Sequence, residues 1–239
     1  TYSIDEEAVP GYEKSIDGYN IKNTHTPEKI SVEGAKTWDD NDDQDGKRPT
    51  EITIKLLKNG TEIQTKKVTE ADGWKWKFEG LDKYENGQEV VYTVEEDAVP
   101  EYKTKAEGLN VTNIHKPEKI SVEGTKTWND NDDQDGKRPT EITIKLLKNG
   151  VKFKEKKVTQ ADGWKWKFED LDKYEKGQEI TYTIEEEAVA GYETSIDRFD
   201  VTNKHTPEKT FVEGEKTWDD ANNQDGKRPT TITVKLYKK

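Results

Sequence analysis

The feature that most constrains this chain is an internal repeat with a period of 90 residues. Two motifs recur at that spacing and keep their mutual offset, which indicates duplicated modules. Thr-Trp-x-Asp occurs at Thr37–Asp40, Thr127–Asp130 and Thr217–Asp220, and Gln-Asp-Gly-Lys-Arg-Pro-Thr occurs at Gln44–Thr50, Gln134–Thr140 and Gln224–Thr230.

A third motif, His-x-Pro-Glu-Lys, marks the seams between modules at 25–29, 115–119 and 205–209. Its Pro favours short, extended linkers. Taking each Pro as a boundary predicts complete modules at 27–116 and 117–206, with the C-terminal fragment of a module at 1–26 and the N-terminal fragment of another at 207–239. Both fragments lack the central strands, so we expect them to be poorly ordered unless a neighbouring molecule completes them.

Composition favours several small modules over one large core, because only 29% of the 239 residues are hydrophobic and 38% are charged. Seven Trp, ten Tyr and regular apolar–polar alternation argue against disorder. Nucleic acid and anionic membranes would both repel the net charge of −12, so we expect neither as a partner. The chain has no Cys for a disulfide or thiolate metal site, no segment as apolar and long as a signal or membrane helix, and no motif that implies a cofactor.

Strand patterns dominate each module. Ile52, Ile54 and Leu56 alternate with polar residues, as in a half-buried strand. Asn-Gly pairs at 59–60 and 149–150 predict hairpin turns, and Trp74, Trp76 and Phe78 share one face of a further strand. The pattern predicts an all-β module, either a β-sandwich or a partly open barrel, of about seven strands.

The same alternation directs one polar side chain into the core from each of three strands. In the first module, Lys36 shares a phase with Val32 and Trp38, Glu96 shares one with Val94, and Asn113 shares one with Val111. The equivalent residues of the second module are Lys126, Glu186 and Asn203. The terminal fragments hold Glu6 and Asn23 at one end, without their Lys, and Lys216 at the other, without its Glu and Asn.

A buried Lys, Glu and Asn that stayed apart would each cost several kcal/mol, about 2–7 for an unpaired polar group, so the three should meet. One outcome is a hydrogen-bonded cluster, or a slip of phase near the strand ends that lets each side chain reach water. The other is covalent. Burial lowers the pKa of an amine and raises that of a carboxyl group, so a neutral amine can attack the carboxamide with the acid as proton shuttle.

The motifs Val-x-Gly-x-Lys-Thr-Trp, Tyr-x-[Val/Ile]-x-Glu-[Asp/Glu]-Ala-Val and Val-Thr-Asn resemble, over the entire chain, the B-type domain family of Gram-positive collagen adhesins. The family's penultimate-strand motif is matched at Tyr2, Ile4, Glu6, Pro10, Gly11 and Tyr12. Glu101 replaces its Gly in the first module and Ala190 its Pro in the second, and both changes lie in the turn that follows the Glu.

The resemblance implies tandem Ig-like (reverse immunoglobulin-type) β-sandwich modules in the stalk of an extracellular, cell-wall-attached adhesin. It also implies self-made isopeptide bonds Lys36–Asn113 and Lys126–Asn203, catalysed once by Glu96 and Glu186, and hence no enzyme with turnover. The expected partners are the neighbouring repeats of the same chain, which we expect to be monomeric. The ligand of the full-length protein, held by a separate region, is not indicated.

Three other interpretations have some basis in the sequence. Asp39, Asn41, Asp43 and Asp45 place oxygens at alternate positions, as in a calcium loop, but Thr50 stands where a bidentate Glu is expected, so a solvated turn is favoured. A carbohydrate- or matrix-binding module would use Trp74 and Trp76 as a stacking platform, whereas core packing is favoured because the alternating lysines supply the outer face. A hydrolase with paired carboxylates has little further support.

Overall fold

The computed structural model describes all 239 residues, from Thr1 to Lys239. Its regular structure consists of β-strands and two three-residue 3₁₀ turns, which confirms the all-β class. No helix in it has both the length and the apolar character needed to cross a membrane.

The two terminal pieces have no core of their own. Residues 1–26 contain a hairpin of β1 (Glu13–Asp17) and β2 (Asn20–Thr24), and residues 207–239 contain no strand. Their large apolar side chains are exposed, for example Tyr2 at 88% and Val234 at 82%.

The first module is built from nine strands and one 3₁₀ turn at Glu70–Asp72. The strands are β3 (Lys29–Asp39), β4 (Glu51–Lys58), β5 (Thr61–Thr69), β6 (Lys75–Asp82), β7 (Tyr84–Glu85), β8 (Gln88–Glu89), β9 (Tyr92–Glu96), β10 (Lys103–Glu107) and β11 (Asn110–Ile114).

The second module repeats this order, with its 3₁₀ turn at Gln160–Asp162. Its strands are β12 (Lys119–Asn129), β13 (Glu141–Lys148), β14 (Val151–Thr159), β15 (Lys165–Asp172), β16 (Tyr174–Glu175), β17 (Gln178–Glu179), β18 (Tyr182–Glu186), β19 (Glu193–Asp197) and β20 (Asp200–Lys204).

Each module is a sandwich of two sheets plus a small two-stranded hairpin. In the first module, one sheet has the order β10-β11-β3-β6, the other has the order β5-β4-β9, and β7 pairs with β8. All pairings are antiparallel except that of β11 with β3, which is parallel. The first and last strands of a module therefore lie side by side, which confirms the tandem Ig-like β-sandwich.

The hydrophobic core lies between the two sheets, where the inward residues of facing strands meet. Ile54 and Leu56 of β4 are fully buried, and Trp76 and Phe78 of β6 are 4% and 1% exposed. The predicted Asn-Gly hairpin turn joins β4 to β5, with φ of 49° at Asn59 and 82° at Gly60. Such left-handed conformations are the ones that Asn and Gly tolerate best.

One glycine fixes the distance between strands. A Cβ on Gly34 in β3 would lie 1.8 Å from the carbonyl oxygen of Leu109 and 2.7 Å from Nε1 of Trp76. Gly124 has the same role in the second module, where a Cβ would lie 1.7 Å from the carbonyl oxygen of Phe199. The first strand can thus approach the last only because this position has no side chain.

Candidate functional site

The three out-of-phase polar residues of the first module converge from both sheets. Lys36 lies on β3 and Asn113 on β11, and the parallel register pairs Lys36 with Val111, so Asn113 is two positions further along on the same face. Glu96, the last residue of β9, belongs to the opposite sheet. The sandwich therefore brings an amine, a carboxylate and a carboxamide together across its core.

Glu96 is the centre of this cluster. Its Oε1 accepts hydrogen bonds from Nζ of Lys36 and, at 3.2 Å, from Nδ2 of Asn113, and its Oε2 accepts one at 3.0 Å from Oγ1 of Thr104. The side chains of Lys36 and Glu96 have 0% exposure even though the backbone of Glu96 is partly accessible, and Asn113 is 0% exposed as a whole residue. These contacts are therefore shielded from bulk solvent.

Burial changes the chemistry of the amine. Desolvation lowers the pKa of Lys36 below its ordinary value, and the ion pair with Glu96 offsets this only in part. Nζ also lies 4.6 Å from the ring centroid of Trp38. The buried Oδ1 of Asn113 has no hydrogen-bond partner. Because an amide flip would exchange Nδ2 and Oδ1, Glu96 is in reach of the carboxamide oxygen as well as its nitrogen.

The second module contains the same cluster. Nζ of Lys126 donates to Oε1 of Glu186, and Oγ1 of Thr194 donates to its Oε2 at 3.0 Å. Lys126 and Glu186 side chains have 0% exposure, and desolvation lowers the pKa of Lys126. Asn203 is fully buried, and neither of its carboxamide atoms has a partner. The Lys–Glu and Thr–Glu contacts and the burial of all three side chains recur in both modules, whereas the Asn–Glu hydrogen bond is present only in the first.

The terminal fragments hold only parts of the cluster. Nδ2 of Asn23 donates to Oε1 of Glu6 at 3.1 Å, and Lys14 bonds the backbone carbonyl oxygen of Glu6 at 2.5 Å, not its carboxylate. Nζ of Lys216 instead donates to the carbonyl oxygen of Thr217 and lies 4.2 Å from the ring centroid of Trp218.

Sequence analysis did not identify Thr104 and Thr194 as contacts of the buried carboxylates. Thr104 is directly opposite Asn113 in the β10–β11 register, and Thr194 is opposite Asn203. The inward phase of Asn113, followed back through the turn between β10 and β11, would have predicted that Thr104 also points inward, since opposite residues of paired strands face the same side.

The acidic segment after β3 is held by donors of its own module and by the backbone amide of Glu118, which follows the linker Pro. Asp40, 1% exposed, accepts from Nε and Nη2 of Arg48 at 3.1 and 2.7 Å and from the Tyr102 hydroxyl at 2.8 Å. Asp45, 3% exposed, accepts at 2.9 Å from Nε2 of His115 and at 2.8 Å from the backbone amide of Glu118. This segment is therefore more buried and more tightly bonded than a solvated turn.

The proposed calcium ligands do not converge on one point. Asp39, Asn41, Asp43 and Asp45 belong to no group of three or more side chains placed to hold a metal ion. Asn41 bonds the side chain of Gln44, and Asp43 accepts from the backbone amide of Arg48 at 2.9 Å.

The Trp residues of the proposed sugar-binding face are directed into the fold. Trp76 and its equivalent Trp166 are each 4% exposed. Trp74 lies before β6, in a turn with φ of 54°, and is not on the strand with Trp76 as expected. It is half-buried and packs edge-on against Trp38, with ring centroids 5.1 Å apart. Neither indole forms an open stacking platform.

The chain matches the family described as Cna protein B-type domain, at residues 1–24, 32–114, 122–204 and 212–239. The chain belongs to the Cna B-type domain family. Its sequence is 45% identical to the collagen adhesin of Staphylococcus aureus over 243 aligned positions, which cover 99% of this chain and 20% of that protein.

Two solved structures of B-type repeats are also similar to this chain. The crystal structure of two B repeat units of the S. aureus collagen binding protein has 44% identity and a TM-score of 0.68, covering 93% of this chain and 62% of that one. A single B repeat unit of the collagen binding surface protein has 42% identity and a TM-score of 0.37, covering 75% of this chain and all of that one. This chain thus spans one fifth of the full adhesin and about two thirds of the two-repeat structure.

Proposed function

We propose that this chain is part of the stalk of a bacterial cell-surface adhesin and that each complete module is locked by an autocatalytic Lys–Asn isopeptide bond. The observation that carries the proposal is the dry convergence of Lys36, Glu96 and Asn113, repeated by Lys126, Glu186 and Asn203. The locked units are the modules at 27–116 and 117–206. The reaction takes place once in each, so the chain is not an enzyme with turnover.

The reaction balances within the cluster. Glu96 takes one proton from the ammonium of Lys36, which leaves a neutral amine that attacks Cγ of Asn113. The protonated carboxyl group donates to Oδ1 of Asn113 and stabilises the tetrahedral intermediate. Glu96 then passes its proton to the carboxamide nitrogen, which leaves as ammonia. It takes the second proton from Nζ as the Nζ–Cγ amide forms, so the products are the amide, ammonia and a protonated Glu96. Proximity supplies much of the acceleration, because all three groups are held by the fold.

The position of the bond suits a stalk under tension. It joins the first strand of the module to the last, so the covalent path runs from Lys36 directly to Asn113. Residues 37–112 then lie outside the path that carries the force. In a chain without Cys, this bond has the mechanical role that disulfides have elsewhere, and reduction does not break it.

The wider role follows from the relatives and concerns the whole protein, of which this chain is one section. The S. aureus relatives are a collagen adhesin and a collagen binding surface protein. We propose that these repeats lie outside the cell, attached to the cell wall, and project a separate ligand-binding region. The repeats work as a monomeric chain whose partners are the neighbouring repeats.

Single-molecule force spectroscopy tests this function directly. An unlocked module would lengthen by about 250–270 Å more than a locked one, as residues 37–112 extend. We expect no such step when the parent chain is pulled from its two ends, and one such step when Glu96→Gln leaves the first module unlocked. Full-length steps from both modules of the parent chain would contradict the proposed stalk mechanism.

A further inference from the structure

The two modules touch through a loop and a hairpin that the isopeptide chemistry does not use. We define the docking loop as residues 41–47 of the first module and the receiving hairpin as residues 174–179 of the second. The amide of Gly177 donates to the carbonyl oxygen of Gln44 at 2.9 Å, and Nε2 of Gln44 donates to the carbonyl oxygen of Tyr174 at 3.3 Å. The modules are therefore hydrogen-bonded to each other by backbone groups as well as side chains.

The contact leaves no room for a side chain at Gly46 and little room for one at Gly177. A Cβ on Gly46 would lie 2.6 Å from Cα of Gly177, and a Cβ on Gly177 would lie 3.2 Å from Cα of Gly46. Nζ of Lys47 lies 5.5 Å from the ring centroid of Tyr174. This backbone-to-backbone fit is specific to one relative placement of the two modules.

The linker beside this contact is bonded to both modules. The backbone amide of Glu118 donates to Asp45 of the first module at 2.8 Å. The carbonyl oxygen of Glu118 accepts from the amide of Lys173 in the second module at 3.0 Å, and its side chain accepts from Nζ of Lys173 at 2.8 Å. His115 binds Asp45 on the other side of the linker Pro. Few free torsions remain between the modules.

Equivalent surfaces that have no neighbouring repeat show what the contact covers. Gln134 and Gly136 repeat the docking loop in the second module, where Gln134 is exposed and a Cβ on Gly136 would meet nothing within 4 Å. Tyr84 and Gly87 repeat the receiving hairpin in the first module, where Tyr84 is 49% exposed and Gly87 is equally open. Asp135 still binds His205 at 2.9 Å and the amide of Glu208 at 2.9 Å, so the second loop is already in the docking shape.

We propose that the docking loop of each repeat binds the receiving hairpin of the repeat that follows, and that this joint sets one angle between successive modules. The free loop at 131–137 and the free hairpin at 84–89 are then surfaces for a following and a preceding copy of the same repeat. The Gln-Asp-Gly-Lys half of the loop, at 44–47, is identical at 134–137 and 224–227, which fits this single kind of partner. The isopeptide bond makes each module resistant to extension, and this joint makes the array stiff in bending.

Hydrogen exchange on the full 239-residue chain provides the first test. Gly177 and Gly87 occupy equivalent turns, but only the Gly177 amide is bonded to the other module. We expect the Gly177 amide to exchange about tenfold more slowly, since a hydrogen bond of about 1 kcal/mol or slightly more protects it. Equal rates at the two glycines would overturn the proposal.

A matched pair of substitutions provides the second test. Gly46 and Gly136 have the same left-handed backbone, with φ of 66° and 63°, so alanine strains both alike, but only at Gly46 does the Cβ meet the other module. Spin labels on Thr61→Cys and Val151→Cys, both at exposed equivalent positions in a chain without native Cys, report the distance between modules. We expect a narrow distance distribution in the parent and in Gly136→Ala, and a broad one in Gly46→Ala.

Identical distributions in Gly46→Ala and Gly136→Ala would overturn the joint. The extension to longer arrays has its own test, in which a further complete repeat follows residue 206. There Gly136→Ala should broaden the distance between the second and third modules as Gly46→Ala does between the first two. If Gly136→Ala leaves the distance distribution between the second and third modules unchanged in that array, the claim that the joint recurs along the chain is overturned.

Discussion

Replacing Glu96 by Gln should unlock the first module and leave the second module locked. Gln keeps the size of Glu96 but cannot take the proton from Lys36, so the attack on Asn113 does not start. Closing the chain between Lys36 and Asn113 restricts the unfolded state as a disulfide across the same loop does, which is worth about 4.5 kcal/mol. At about 4–8 °C per kcal/mol for a module of this size, the melting temperature of the first module should fall by about 20–35 °C.

Differential scanning calorimetry shows this as a new transition well below that of the locked module, and mass spectrometry shows one ammonia retained. Glu186→Gln is the mirror control and should move the transition of the second module instead. Asn113→Ala removes the bond while keeping the pair of Lys36 and Glu96, so the fall in melting temperature shared by both variants belongs to the bond. A Glu96→Gln chain that still loses both ammonias, or one that loses the bond without a new transition, would refute this reasoning.

Three further substitutions test other parts of the structure. Gly34→Ala should lower the unfolding free energy of the first module by about 1–3 kcal/mol in denaturant titrations, because the added Cβ meets the backbone of Leu109. Gly214→Ala, whose Cβ would meet nothing within 4 Å, should have no effect. Asp40→Ala should cost about 2–3 kcal/mol by leaving Arg48 and Tyr102 without their acceptor. The exposed Asp42→Asn, which keeps a residue that tolerates the left-handed backbone there, should cost almost nothing in the same titrations. Burial lowers the pKa of His115, but its bonds to Asp45 and to the carbonyl oxygen of Glu101 outweigh this and raise the pKa above its ordinary 6.5. The stability that the protonated His115 contributes is therefore complete below pH 6.5 and is lost as pH rises through the raised pKa. Melting curves between about pH 6 and pH 8 should therefore show a decline that is smaller in His115→Asn, and an unchanged slope in that variant would contradict the assignment.

Strand alternation was sufficient to predict an all-β module and the inward direction of the polar side chains, whereas the choice of a sandwich over a barrel came from the family resemblance. Lys36, Glu96 and Asn113 were selected by phase alone, and their side chains are buried in the structure. Period-two alternation works here because each strand has one core face and one solvent face, so a polar residue in the core phase stands out. That the three would meet followed from the cost of burying them apart, but phase did not decide between a hydrogen-bonded cluster and a covalent bond, and there the family resemblance was needed.

The contacts that sequence reasoning missed are those made by loops. Trp74 was placed on a strand, but the turn after the 3₁₀ segment directs it onto Trp38, which lies far away in sequence. The acidic segment was expected to be a solvated turn, yet Asp40 and Asp45 are buried by donors that lie at distant positions in the chain, including the linker. Loop conformation depends on such non-local partners, and no periodic pattern records them.

The intact mass of the 239-residue chain tests the central claim most directly. The account predicts that the folded protein lacks two molecules of ammonia relative to its sequence, one for each complete module, and that the masses of branched peptides join Lys36 to Asn113 and Lys126 to Asn203. A mass equal to that of the unmodified sequence would contradict it.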